Sequence, residues 1–175
     1  MTFALPLVLA LSLAQAPPSP KPGPEHKILA ADVGTWDGIV EMMGEPGQPP
    51  MKGKGVEVNT LGCNGLCLIT DFKSQSAMGP FHGHGVTTWD ASKKKYTGSW
   101  MDSMSTGMSV AEATYDAKAK RWSGTMEGPD GSGTMTKLRS VTEMPNPTTR
   151  VFTLYAPGPG GKEMQVMKIT YTKRK

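Results

Sequence analysis

The stretch Pro80–Asp102, PFHGHGVTTWDASKKKYTGSWMD, reads as two strands and the turn between them. His82, His84, Val86 and Thr88 alternate with Phe81, Gly83, Gly85, Thr87 and Trp89, so each set shares one face of a strand. Asp90-Ala91-Ser92-Lys93-Lys94 then supplies a reversal, and Thr-, Tyr- and Trp-rich sequence resumes at Lys95.

The same grammar repeats along the chain. Short stretches rich in Thr, Val, Met, Tyr and Trp are separated by Gly, Pro, Asn, Asp and Lys, and no long segment keeps a 3.6-residue apolar period. Strands are expected over 35–43, 53–61, 66–73, 80–89, 95–102, 108–116, 121–128, 132–142, 149–156 and 162–173. Reversals fall at Asp116-Ala117-Lys118, Pro129-Asp130-Gly131, Pro145-Asn146-Pro147 and Pro157-Gly158-Pro159-Gly160-Gly161. Ahead of them, Glu25–Val33 has the makings of one short helix that stops at Gly34. Ten short strands in a meander predict an all-β fold, a single antiparallel up-and-down barrel, because closure removes the exposed edges. A two-sheet sandwich is the alternative.

Upstream, Phe3–Leu13 is an almost unbroken apolar run followed by Ala14-Gln15-Ala16. The run is shorter than the roughly 20 residues of a membrane span and ends in a small-x-small cleavage pattern. Residues 1–16 therefore read as a signal peptide, although no Lys or Arg precedes the run. The mature chain would be secreted or periplasmic and keep no integral membrane segment. Residues 17–25, with five prolines in PPSPKPGP, read as a Pro-rich spacer, and 26–175 as the barrel domain. A net charge of +4 gathered at turns and at the terminus is too modest to imply nucleic acid, but leaves weak contact with an anionic envelope open.

Gly34-Thr35-Trp36 at the start of the first strand resembles the Gly-x-Trp signature of lipocalins. That resemblance implies that Trp36 closes one barrel end with Lys173 or Arg174 against its ring. PFHGHGVTTWDASKKKYTGSWMDSMSTGM, then EATYD and KEMQVMKITYTKRK, resemble the bacterial family filed as domain of unknown function 1579 (DUF1579), a lipocalin-like (calycin) barrel family. The similarity runs from about His26 to Lys173, with Thr88-Trp89-Asp90 where the family usually has Gly-Tyr-Asp. It implies a fold and a tendency to hold ligands, and no established reaction. Haem-binding barrels of the nitrobindin type use a histidine near the C-terminus, and Lys162–Lys175 contains none.

If the histidine face looks inward, His82 and His84 line the cavity. Two histidines at this spacing can reach one metal, but a site usually needs a third ligand, and His26 is not an obvious one. Hydrogen bonding within the barrel or contact with an organic ligand is the preferred reading, so no metal or cofactor is assigned. Trp100, Met126, Phe152 and His84 are the expected wall of a pocket for a small apolar molecule, with Arg139 as an inward cation. A one-residue slip would reverse each of them.

Thirteen methionines, with Met101, Met104 and Met108 close together, suggest adaptable cavity lining. A copper-binding protein using Met and His is the alternative from another class, and a barrel filled by its own side chains is the third. Cys63-Asn64-Gly65-Leu66-Cys67 sits at a reversal and is expected to form a disulfide. Asp102-Ser103 lacks an elbow or an oxyanion loop, so no catalytic residue is assigned.

Overall fold

The computed structural model describes residues 19–44, 47–76 and 79–175. The expected signal peptide lies outside them. No described helix is long and apolar enough to cross a membrane.

One helix, α1 (Pro24–Ala31), precedes ten strands: β1 (Gly34–Met42), β2 (Met51–Gly62), β3 (Cys67–Ser76), β4 (Gly79–Asp90), β5 (Lys95–Asp102), β6 (Ser109–Asp116), β7 (Arg121–Pro129), β8 (Met135–Asn146), β9 (Thr149–Pro157) and β10 (Glu163–Lys173). Each strand pairs antiparallel with the next, and β1 pairs with β10 to close the barrel. The sandwich alternative is excluded. α1 begins one residue before its expected start, since Pro suits the first helical position, where its missing N–H costs nothing. The backbone N–H of Gly23 donates to Nδ1 of His26 at 3.0 Å, which fixes that histidine at the helix start.

The turns work through short polar side chains. Oδ1 of Asp90 accepts from the N–H groups of Ser92 and Lys93 (2.9 and 3.1 Å). Asp116 does the same for Lys118 and Ala119, and Asp130 for Ser132 and Thr134. The Asp130 turn consumes residues through Thr134, so β8 starts at Met135 rather than at 132. Cys63 and Cys67 are bridged across the β2–β3 reversal.

Gly34 leaves the helix at φ +133°, a backbone shape that side chains other than hydrogen rarely take. A Cβ there would also lie 2.9 Å from Cε of Lys173. This is the physical content of Gly-x-Trp here: the glycine lets the chain turn into β1 and leaves room for the lysine above Trp36.

Because strands alternate direction, the turns before β3, β5, β7 and β9 lie at the end that holds α1, and the others at the opposite mouth. Packing inside is uneven. Buried side chains gather on β1, β3 and β10, where Trp36, Val40, Phe72, Ile169 and Tyr171 form one cluster. Leu29 of α1 closes on Leu68 and Tyr96 in a second.

Candidate functional site

At the helix end the bore is plugged by a polar network within aromatic walls. Arg150, 6% exposed, lies between the rings of Trp36 and Tyr171, 4.8 and 4.2 Å from their centroids. Its guanidinium donates to the carboxylates of Asp32 and Glu57. Asn59 donates to Glu57 at 2.7 Å and accepts from the Thr70 hydroxyl at 2.7 Å. The Trp36 indole donates to the Asp32 carbonyl at 3.0 Å, which ties α1 to β1. Burial raises the Asp32 carboxyl above the usual carboxylate value, against the pull of Arg150. Burial also pushes the Tyr171 phenol well up, aided by Glu57. Lys173 sits 5.1 Å over Trp36, as the lipocalin resemblance implies. Arg174 does not: it lies on the outside, bound to Asp37 at 2.6 and 2.9 Å, because consecutive strand residues take opposite faces.

The wall of β5–β10 on the mouth side is different. Trp100, Met126, Leu138, Phe152 and Met167 share the inner face and all stay half-buried, Trp100, Phe152 and Met167 packing against the Trp36 cluster. Trp100 lies flat on Gly83 and Gly85, where added Cβ atoms would come within 2.2 and 3.0 Å of its ring. Its indole donates to Asp102 at 2.9 Å. Around the mouth, Met51, Met101, Met104, Met108, Met135 and Met164 are all exposed, Met135 by 64%. The β1–β10 meander thus collects at one rim methionines that are scattered in the chain.

Two inward assignments are overturned. The glycines occupy the inner face of β4 because only they fit beneath Trp100, so His82 and His84 point outward, with Met101 across from His84 on β5. Arg139 also points outward, bonded to Glu163 at 2.8 and 3.0 Å and lying 4.0 Å over the Tyr155 ring. Trp100, Met126 and Phe152 do share the inner face.

On the outside of β3 and β4, Oδ2 of Asp71 lies 3.3 Å from Nε2 of His82 and 3.2 Å from Nδ1 of His84. Nearby, a groove of about 930 Å³ crosses the outer face of β1–β4. Its floor is the backbone row Gly38, Gly55, Ser74 and Phe81, and its walls are the flanking outward rows that include Ile39, Lys54, Val56, Lys73 and His82.

Sequence reasoning missed Arg150 and Asp71. Arg150 had a signal, since it shares the i, i+2, i+4 set of Phe152 and Leu154. Asp71 had none, because its approach to the histidines depends on the β3–β4 register.

A family model described as "Protein of unknown function (DUF1579)" matches residues 21–173. No curated protein matches the chain. Among solved structures, Rv2717c from M. tuberculosis is similar at 12% identity, covering 87% of this chain and 99% of that one, with a TM-score of 0.65. The S-type phycobiliprotein lyase CPES from Guillardia theta is similar at 11% identity, over 86% and 93%, with a TM-score of 0.59. At such identities these likenesses carry the fold alone.

Proposed function

The chain belongs to the DUF1579 family of lipocalin-like barrels, and from that premise we propose that it is an exported protein that holds a small, mainly apolar molecule in its bore without turning it over. The observation that carries this reading is the half-buried inner wall of Trp100, Met126, Leu138, Phe152 and Met167. Inward apolar side chains bury fully when they fill a barrel. Left partly open, they offer a wall that a ligand covers with a gain of about 25 cal/mol per Å². The methionine rim supports entry from the mouth, since thioether side chains adapt to varied apolar shapes. The helix end offers no comparable route, because Arg150 and its partners occupy the bore there.

The lining supports binding rather than turnover. Its polar groups are few, and Asp102 is engaged by the Trp100 indole and the N–H groups of Met104 and Ser105. The likeness to a lyase at 11% identity brings no reaction with it.

The test is native mass spectrometry of protein purified from its own host, with uptake of a fluorescent fatty acid and of an apolar dye followed by quenching of tryptophan emission. A bound organic mass, recovered chemically unchanged and lost in Phe152→Asp, is the expected result. A clean apo mass with no uptake from a lipid panel refutes the reading and leaves a barrel filled by its own side chains. N-terminal sequencing of the secreted or periplasmic fraction tests export, with Pro17 as the expected first residue.

A further inference from the structure

We propose that Asp71, His82 and His84 bind one late first-row divalent metal ion, Cu2+ ahead of Zn2+, on the outer wall of the barrel. Their ligating atoms lie within 4.8 Å of one another. Metal–ligand lengths near 2.1 Å place neighbouring donors about 3.0–3.4 Å apart in octahedral or tetrahedral geometry. The Asp71–His82 and Asp71–His84 separations of 3.3 and 3.2 Å fall in that range. Both nitrogens address the same carboxylate oxygen, and the two rings are tilted, with centroids 4.4 Å apart.

The face is set by the interior. Trp100 needs glycine at 83 and 85, and period-2 alternation then turns 82 and 84 out to water. The imidazoles are about half exposed, so close packing does not hold them in place, and water can complete the coordination shell. Asp71 is the third ligand that the histidine pair lacked in sequence, delivered by the register that sets it opposite His84.

The donor set is two imidazole nitrogens and one carboxylate oxygen. Imidazole suits copper, zinc, nickel and iron, and at fixed geometry the intrinsic order of affinity puts Cu2+ first. Lys73 opposes binding: its ammonium lies 3.9 Å from the other Asp71 oxygen, and it pairs with His82 across the strands. The site adjoins the outer groove, which His82 and Lys73 also line. It is independent of the bore, so loss of metal binding and loss of apolar binding are separate outcomes.

Isothermal titration of the untagged mature protein with CuCl2 and with ZnCl2, in a weakly coordinating buffer, tests the proposal. One equivalent of Cu2+ is expected, bound more tightly than Zn2+, with paramagnetic resonance showing coupling to two imidazole nitrogens. Asp71→Asn, His82→Ala and His84→Ala should each weaken binding at least about tenfold. Lys73→Gln should strengthen it, and His26→Gln, on the helix, should leave it unchanged. Circular dichroism melts should not move, because all three ligands are on the surface. A wild-type protein that takes up neither ion, or Cu2+ binding that survives in H82A/H84A with its two-nitrogen coupling, overturns the site. Undiminished affinity in D71N removes Asp71 from the ligand set, and tighter Zn2+ than Cu2+ reverses the ion assignment.

Discussion

At the helix end, Trp36, Arg150, Tyr171, Glu57 and Asn59 fill the bore and contact one another, while at the mouth end six methionines stand exposed around the rim, Met101 on its outer face. The helix end also carries the Lys93–Lys95 and Lys118–Arg121 turns and the Lys173–Lys175 terminus, so much of the positive charge gathers there. One end spends its side chains on holding α1 to the barrel. The other leaves apolar surface uncovered, which a protein built only for stability would bury. The contrast teaches that the same ten strands can be closed by ion pairs at one end and keep apolar side chains exposed at the other.

Removing the centre of the plug should have the largest effect. Arg150→Ala leaves the Asp32 and Glu57 carboxylates buried without their cation, and chemical denaturation should show a loss of about 3–5 kcal/mol. A variant as stable as the wild type would mean that the helix end is not held as described.

Gly83→Ala should follow. Its Cβ would lie 2.2 Å from the Trp100 ring, which must shift into the bore. The expected cost is about 1–3 kcal/mol. Altered tryptophan emission and weaker apolar-dye binding should accompany it. Unchanged emission would show that Trp100 does not rest on β4.

The mouth should behave in the opposite way. The triple variant Met104→Gln, Met108→Gln and Met135→Gln changes exposed groups only, so stability should stay within about 0.5 kcal/mol. Dye uptake should fall several-fold. A large loss of stability with unchanged uptake would reverse the assignment of the two ends.

The smallest effect concerns the exposed charges near the helix end. Hydrogen bonds from Lys93 and Lys95 hold the Glu112 carboxyl down to about 2. A carboxylate depressed in the folded state stabilises it above its ordinary value of 4.5, and that contribution is lost as pH falls toward 2. Carbon-detected titration should find Glu112 still ionised at pH 3. The stability difference between wild type and Glu112→Gln should shrink between pH 5 and 2, and a midpoint near 4.5 would show the pair to be broken in solution.

Much of this architecture was legible in the chain. Alternation and turn chemistry gave ten strands close to their observed bounds, because Asp90, Asp116 and Asp130 reverse the backbone through bonds to residues two to four positions away. Gly34 and Trp36 marked the closed end, and the nearby cysteines found each other across a tight reversal. These are local interactions, and the residues that make them are close in sequence.

Which face of each strand looks inward was not local. Alternation sorts a strand into two sets and leaves open which set the closed barrel encloses. On β2 the inner set is Gly55, Glu57 and Asn59, while Val56 and Val58 face out, against the apolar-inside expectation. Trp100 decided β4, since its ring fits only over the glycines, and His82 and His84 went outside as a result. The interior cation is Arg150 rather than Arg139, because the inner row of β9 reaches the carboxylates of Asp32 and Glu57. Asp71 met the histidines, and Met51, Met135 and Met164 came to the same rim, through strand pairing alone. Periodicity and turn residues are written in the chain; register and closure bring together residues distant in sequence, and those set the two ends and the outer site.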